Sequence, residues 1–207
     1  MYRALRRSEL PLFFTEGEHP QPRVSFSPAL ALGVESFSEY LDLWLCKPAN
    51  DKTINSRLNS VLPDGFIVTS SCPVPLSAPS LEKSINSMEY EIFFPEDPAG
   101  LAIKDGLSLS LEKFNACCGA SAPQEKDEKA FSLQNLYNGV ELEMLDGLAG
   151  LRCKVFRIAG SLRSPFRILG ELFPLSNPRE MNLHIRKIKT NFIAPLPTQR
   201  SPQWQTN

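Results

Sequence analysis

Prolines and glycines divide the first fifty residues of this chain into short segments, and their spacing constrains the fold more than any other feature. A basic helix end over residues 1–9 must stop at Pro11, because proline has no amide N–H and clashes with the preceding turn. One glycine and two prolines then exclude regular strand pairing from residues 16–22. The N-terminal region is therefore predicted to combine a helix end, a rigid loop and short strands.

The clearest strand is predicted at Phe37–Leu45, where apolar and polar residues alternate. Tyr40 and Trp44 fall on one face of this strand, and the leucines fall on the other. Asn50 is a favourable N-cap for the helix that follows it, and a further strand is predicted at residues 66–70. Shorter extended segments are predicted at residues 12–15 and 23–27.

The element order over residues 1–71 is helix, strand, strand, helix, strand, which is the ferredoxin-like βαββαβ order without its first strand. Residues 72–87 are rich in proline and serine and predict a linker. A full strand, helix, strand, strand, helix, strand order follows over residues 88–192. Its strands are predicted at residues 88–94, 140–144, 152–158 and 181–192, and its helices at residues 99–114 and from residue 165. For residues 99–114 a strand is the alternative, because Leu107, Leu109 and Leu111 alternate. We therefore predict an α+β fold of two ferredoxin-like halves in tandem, with a disordered tail at residues 193–207.

The composition is that of an ordinary globular protein, with 42% hydrophobic and 22% charged residues among 207. No apolar run approaches the roughly 20 residues that a membrane-spanning helix needs. The five cysteines are odd in number and include no C-x-x-C pair, which argues against a disulfide framework and against zinc or iron–sulfur ligation. The sequence predicts a cytoplasmic protein with reduced thiols, no membrane association and no cofactor.

The charge is unevenly distributed along the chain. The formal net charge is −1, but residues 152–200 hold ten Lys or Arg against two Glu, so this part carries +8 and the rest carries −9. Such asymmetry favours a polyanionic partner for the basic part. The alternative is ordinary solvated surface charge, because net charge determines association and not the fold.

The candidates for a general acid or base are limited to the two histidines, because histidine is the side chain that titrates readily near neutral pH. His19 lies in the proline-rigidified loop beside the arginine helix and is the one candidate for a general base or a functional contact. His184 lies in a strand pattern among polar residues and is interpreted as a surface or interface residue. The sequence has no metal-ligand spacing and no phosphate-binding glycine motif.

Nucleic-acid binding is the function that the remaining residue types favour most directly. Lys and Arg neutralise phosphates and release counterions, and aromatic side chains on an open sheet face stack on bases. The alternative is that the aromatic face of the predicted strand is covered by another domain. The predicted contacts are Arg3, Arg6, Arg7, His19, Arg23, Tyr40, Trp44, Arg186, Lys187 and Lys189.

Several short motifs are concentrated near the N-terminus. They read RALRRSELPL at residues 3–12, TEGEHPQPRVSF at 15–26, LGVES at 32–36 and EYLD at 39–42. This set resembles the radical-SAM-linked protein family, densely over residues 3–45. The run GSLRSP at 160–165 and the pair Ile185-Arg186 also look like later segments of that family.

The chain departs from the family pattern at three points. Glu18 stands where the family usually has Phe, and Gln21 stands where it often has His. Family members also carry a preceding strand and the start of the arginine helix, with a segment like FLSHLDL. We therefore expect either a true start upstream of Met1 or a neighbouring reading frame that supplies the missing strand, since an unpaired sheet edge is prone to association.

The resemblance implies a partner more clearly than a reaction. The family is encoded beside, or fused behind, a radical SAM protein, and its genes lie near a ribonuclease of the E/G type. Its first half is also similar to the ferredoxin-like RNA-processing proteins of CRISPR systems. We therefore expect an accessory protein that docks on a radical SAM partner and presents RNA, without activity of its own. The alternatives are an RNA-processing or RNA-modifying enzyme that uses His19, and a purely structural partner subunit.

Overall fold

The chain has an α+β fold in a computed structural model that describes residues 1–96, 140–145, 150–157, 162–172 and 182–193. The described helices are α1 (Tyr2–Arg7), α2 (Asp51–Asn59), α3 (Leu81–Ser84) and α4 (Pro165–Leu172). The described strands are β1 (Val24–Phe26), β2 (Val34–Ser36), β3 (Leu41–Leu43), β4 (Ile85–Phe93), β5 (Val140–Met144), β6 (Gly150–Phe156) and β7 (His184–Phe192). None of the helices in these ranges is long and apolar enough to cross a membrane.

The described residues form two compact units. Unit 1 comprises Met1–Pro28 and Tyr40–Ser84, and unit 2 comprises Ala29–Glu39 together with the described residues of Ile85–Ile193. The chain thus enters unit 2, returns to unit 1 and enters unit 2 again.

Unit 1 contains α1, α2, α3 and a two-stranded antiparallel sheet of β1 and β3, together with a small apolar cluster. The buried members of that cluster are Leu5, Leu10, Leu12 and Leu58. The predicted N-cap is confirmed, because the side chain of Asn50 accepts a 2.7 Å hydrogen bond from the backbone N–H of Thr53. The cap satisfies one of the orphan amides at the start of α2.

Unit 2 contains a five-stranded sheet in the order β2-β7-β4-β6-β5. The neighbours are antiparallel except for β2, which runs parallel to β7 at one edge. Along β4 and β6, alternate side chains point to one face of the sheet. These side chains pack with helix α4 to form the core of the unit. Its fully buried residues include Ile85, Ile92, Leu151, Leu169 and Ile185.

The strand predicted at Phe37–Leu45 is wrong as a single element, because its two ends pair in different units. The backbone N–H of Phe37 donates to Lys187 O at 2.9 Å in unit 2. In unit 1, the Tyr40 carbonyl accepts from the N–H of Ser27 at 3.0 Å. Within the predicted range only the three residues of β3 form a strand, and Phe37 follows directly after β2.

The strand predicted at residues 66–70 is also wrong, because a side chain takes the place of a neighbouring strand. The amide oxygen of Asn59 accepts from the backbone N–H of Val68 at 2.7 Å, and its amide nitrogen donates to Val68 O at 3.0 Å. The segment predicted at residues 12–15 is reduced to isolated bridges at Leu12 and Phe14. Strands β1, β4, β5, β6 and β7 and helices α1 and α4 confirm the corresponding predictions.

The tandem ferredoxin-like arrangement is not confirmed. Unit 1 has a sheet of two strands, although all of its residues up to Ser84 are described. The helix predicted at residues 99–114 lies outside the described residues, as does the predicted tail beyond Ile193.

Candidate nucleic-acid interface

Three side chains of unit 1 form a stack that we call the arginine–aromatic platform, defined as Phe13, Arg23 and Trp44. The guanidinium of Arg23 lies 5.0 Å from the centroid of the Trp44 ring and 5.9 Å from that of the Phe13 ring. Both distances are within the range of cation–π attraction. The platform combines a permanent positive charge with two aromatic rings.

Backbone hydrogen bonds fix the three residues of the platform. The N–H of Phe13 donates to Trp44 O at 2.7 Å, and the N–H of Arg23 donates to Phe13 O at 2.8 Å. The N–H of Trp44 donates to Arg23 O at 3.2 Å. The side chains are therefore positioned by a closed ring of main-chain contacts, which removes backbone freedom that a ligand would otherwise have to restrict.

The platform lies at one end of the outer face of the β1–β3 sheet. The pairs Val24–Leu43 and Phe26–Leu41 are in register, and Val24 and both leucines pack against the apolar cluster. Residues alternate across a strand, so Asp42 and its partner Ser25 face away from that cluster. Burial alone raises the pKa of the Asp42 carboxyl above its ordinary value.

Two predicted contacts, Tyr40 and Trp44, precede and follow Asp42 at a spacing of two residues. The same alternation therefore places both on the outer face with Asp42. Tyr40 and Trp44 are half-buried, whereas Arg23 is exposed. The structure thus brings three of the predicted contacts together on one small face.

The arginines of helix α1 bind neutral oxygen atoms of unit 1. Arg6 donates to Pro20 O at 2.7 Å and to Gln21 Oε1 at 3.0 Å, and Arg7 donates to Val61 O at 3.0 Å. Both side chains remain exposed. Because carbonyl and amide oxygens carry no formal charge, these contacts orient the guanidinium groups without neutralising them.

Arg6 thereby connects α1 to the loop that carries His19. A second set of contacts closes this loop, since Thr15 Oγ1 accepts from Gln21 N at 3.1 Å and Thr15 N donates to Gln21 O at 2.8 Å. His19 is exposed at the loop's tip, and Arg3 is exposed on α1. The predicted proximity of the arginine helix and the histidine loop is therefore present.

The predicted basic contacts of β7 do not share one exposed face. Lys187 is 1% exposed, and its ammonium nitrogen lies 2.9 Å from Glu39 Oε1. The expectation that Lys187 meets a ligand at the surface is therefore corrected, because alternation along β7 directs this side chain to the buried face. Arg186 and Lys189 remain accessible on this strand.

Arg186 belongs to a compact cluster that includes a carboxylate. Its Nε lies 3.3 Å from Glu35 Oε2, and its guanidinium carbon lies 5.2 Å from the centroid of the Phe93 ring. His184 Nε2 lies 2.9 Å from the same Glu35 oxygen. The hydrogen bond from His184 is the largest of the effects that lower the pKa of Glu35 below its ordinary value, and Arg186 adds to it.

Two further basic residues of this sheet are also paired with carboxylates. Arg152 lies 3.1 Å from Glu91 and 3.6 Å from Glu143, and Lys154 lies 3.3 Å from Glu141. Each cation thus has an anion beside it, which weakens its attraction for a polyanion. The two units therefore differ: the α1 arginines bind neutral groups, whereas these basic residues of unit 2 bind carboxylates.

Residues of both units that could serve metal or redox chemistry are dispersed. Within the described ranges, no group of three or more His, Cys, Asp or Glu side chains is placed to hold a metal ion. Cys46 and Cys153 are free thiols. Burial raises the pKa of the Cys153 thiol to about 12, so this sulfur is an unreactive thiol at neutral pH.

One comparison with known proteins assigns the chain to a family. A family model described as an uncharacterized protein conserved in bacteria (DUF2344) matches residues 1–136, which is about two thirds of the 207 residues and includes the whole platform. No curated protein and no solved structure is significantly similar to the chain. The chain therefore belongs to the DUF2344 family of uncharacterised proteins conserved in bacteria.

Proposed function

We propose that this chain is an accessory RNA-binding protein that acts beside a radical SAM enzyme in the cytoplasm, with unit 1 as its RNA contact. The arginine–aromatic platform is the observation that supports this proposal most directly. Phe13 is 41% exposed and Arg23 is also accessible, so both present surface to a ligand. Single-stranded RNA matches this surface, because its unstacked bases offer π-faces and its phosphates offer negative charge.

The arginines of α1 extend the proposed surface with charge that is not neutralised. Arg6 and Arg7 hydrogen-bond to neutral oxygens, so their charge remains available to attract phosphates. Arg3 is exposed on the same helix. The proposed contacts are Arg3, Arg6, Arg7, His19, Arg23, Tyr40 and Trp44.

The basic strand β7 has a smaller part in this proposal than the sequence suggests. Arg186 is held by Glu35, and Lys187 is buried on Glu39. Lys189 is exposed on β7 and is kept as a peripheral contact together with Arg186. Charge compensation, and not the number of basic residues, decides which surface attracts RNA.

We also propose that unit 2 is a ferredoxin-like domain. Among the strands β4 to β7, the last lies beside the first, and the third lies between the first and the second. All these neighbours are antiparallel. This strand order supports a βαββαβ unit, with β2 added at its edge. A tandem relationship with unit 1 remains part of the proposal.

The radical SAM partner is proposed because the sequence resembles the radical-SAM-linked family. In this proposal the partner holds the cluster and performs the radical reaction, while this chain binds the RNA. Co-expression of the two proteins and affinity purification, with and without ribonuclease, tests the association. Recovery of the pair after ribonuclease treatment indicates direct protein contact, and failure to recover it without ribonuclease contradicts the partnership.

RNA binding is tested by fluorescence anisotropy with a labelled single strand of roughly 12 nucleotides, within the site sizes typical of single-strand-binding proteins. We expect binding that weakens steeply between about 50 and 200 mM salt. Trp44→Ala should reduce affinity about tenfold, because base stacking on an aromatic ring contributes about 1–3 kcal/mol. Arg23→Ala should reduce affinity by a similar factor, because it removes a positive charge that attracts phosphate.

Arg186→Ala is the matched comparison at a peripheral contact, since it removes the same charge from a guanidinium that is paired with Glu35. It should change affinity by less than about twofold, as paired surface charges contribute little. Absence of binding at low salt contradicts the proposal. A larger loss of RNA affinity in Arg186→Ala than in Arg23→Ala would indicate that the RNA interface lies in unit 2. Loss of RNA cleavage in His19→Ala, with binding intact, favours the enzyme alternative.

A further inference from the structure

A single carboxylate lies in the middle of the outer face of the β1–β3 sheet. Asp42 is directly opposite Ser25 and is two residues from both Tyr40 and Trp44. Residues two apart on a strand are separated by about 7 Å and point to the same side. The carboxylate of Asp42 is therefore a near neighbour of the Trp44 ring on this face, within the span of a nucleobase stacked there.

The Asp42 carboxylate keeps its hydrogen-bonding capacity for a ligand. The guanidinium of Arg23, a basic residue of the same sheet, lies over the rings of Phe13 and Trp44. In the part of the chain that the structure describes, no ion pair joins Asp42 to a cation within 4 Å. The side chain is also half-buried, and burial strengthens the hydrogen bonds that a carboxylate accepts.

We propose that Asp42 is a specificity-determining residue that reads the Watson–Crick edge of guanine in single-stranded RNA. This inference rests on the proposed RNA-binding function of unit 1. Guanine presents two adjacent donors, N1–H and N2–H, which match the two oxygens of an ionised carboxylate. Phe13, Arg23 and Trp44 supply sequence-independent affinity, and Asp42 supplies the choice of base.

The other three bases are poorer partners for the same acceptor. Uracil has one N–H between two carbonyl oxygens, and these oxygens repel a carboxylate. Adenine and cytosine each place an amino donor beside a ring nitrogen that is itself an acceptor. A half-buried carboxylate that faces an acceptor loses its hydration without gaining a hydrogen bond, and this penalty discriminates against the wrong base.

The experiment uses the full chain and uracil-based oligonucleotides of about nine residues, a length within single-strand site sizes, that differ at the central position. The oligonucleotide with guanosine at the central position should bind about tenfold more tightly than those with uridine, adenosine or cytidine. One bidentate base contact typically gives a difference of this size. Inosine, which lacks the N2 amino group, should lose most of that gain. Because inosine changes the RNA and not the protein, this comparison does not depend on how a variant folds.

Asp42→Asn should lower the affinity for the guanosine oligonucleotide to that of the uridine one, and leave the uridine affinity within about twofold. Asp64→Asn is the matched control, because it removes the same charge from an exposed residue. Equal binding of all oligonucleotides by the native chain overturns the inference but leaves the proposed function intact. Failure of every oligonucleotide to bind contradicts the proposed function itself. Loss of guanosine preference in Asp64→Asn also overturns the assignment to Asp42.

Discussion

The ammonium of Lys187 lies 2.9 Å from the Glu39 carboxylate, and the two members of this ion pair differ widely in exposure. The side chain of Lys187 is 1% exposed, whereas that of Glu39 is 41% exposed. Ser36 Oγ also donates to Glu39 Oε1 at 2.5 Å. Glu39 ends the segment of unit 2 that contains β2, so this pair attaches that segment to β7.

This asymmetry predicts unequal effects of removing each partner. Glu39→Gln leaves a buried ammonium without its carboxylate and should reduce the free energy of unfolding by about 2 kcal/mol, less than for a pair buried at both ends. Lys187→Met should cost less than about 1 kcal/mol, because water can solvate the half-exposed Glu39 and a Met side chain fills the buried space. Urea denaturation measures both variants.

Glu141→Gln is the control for that experiment, since it breaks the exposed pair with Lys154. A change within about 0.5 kcal/mol is expected for it. A larger loss in Lys187→Met than in Glu39→Gln would contradict the view that the buried ammonium depends on Glu39.

The contact between Glu35 and His184 predicts a pH dependence of stability. The hydrogen bond from His184 lowers the pKa of Glu35 from the ordinary value of 4.5. A carboxyl whose pKa is lowered on folding stabilises the folded state above its unfolded pKa, and the contribution disappears as the pH falls through the folded value. The melting temperature of Glu35→Gln should therefore be lower than that of the native chain near pH 6. The difference should vanish well below pH 4.5.

Glu143→Gln provides the comparison, because Glu143 contacts Arg152 at the longer distance of 3.6 Å on the same sheet. Its melting temperature should follow the native value across the pH range. A Glu35→Gln difference that persists in acid would show that packing, and not ionisation, is responsible.

The contacts of Arg6 predict local order in the His19 loop. Arg6→Ala removes the hydrogen bonds to Pro20 O and Gln21 Oε1, which together contribute about 1 kcal/mol in an exposed setting. Hydrogen exchange of the amides in residues 16–21 should accelerate several-fold, while the amides of α2 remain protected. Arg3→Ala removes the same charge from the same helix and should leave the loop amides unchanged. Acceleration in both variants would contradict a specific role for Arg6.

Local signals in the sequence were sufficient for features that depend on neighbours along the chain. Asn50 was predicted as an N-cap from its residue type and position, and the alternation from Tyr40 to Leu45 predicted which side chains share a face. Both require only a few adjacent residues.

Features that depend on distant partners were not accessible in this way. Lys187 was expected on the surface, because nothing nearby in sequence indicates that Glu39 reaches it from 148 residues away. The strand expected around Val68 failed because the Asn59 side chain satisfies its backbone. Phe13 was missed because its role depends on main-chain contacts with Arg23 and Trp44, although an exposed aromatic beside predicted arginines is a usable signal.

The Asp42 carboxyl links the inferred base recognition to stability. Burial raises its pKa from the ordinary value of 3.8. A carboxyl with a raised folded pKa stabilises the fold fully below its unfolded pKa, and this contribution is lost as the pH rises through the folded value. At neutral pH the ionised Asp42 therefore opposes folding, as expected of a group retained for binding.

Asp42→Asn should melt at a higher temperature than the native chain at pH 7 and at the same temperature well below pH 3.8. Asp64→Asn, on an exposed residue, should show no such difference. Calorimetry at the two pH values measures this, and a lower melting temperature of Asp42→Asn at pH 7 would contradict the argument.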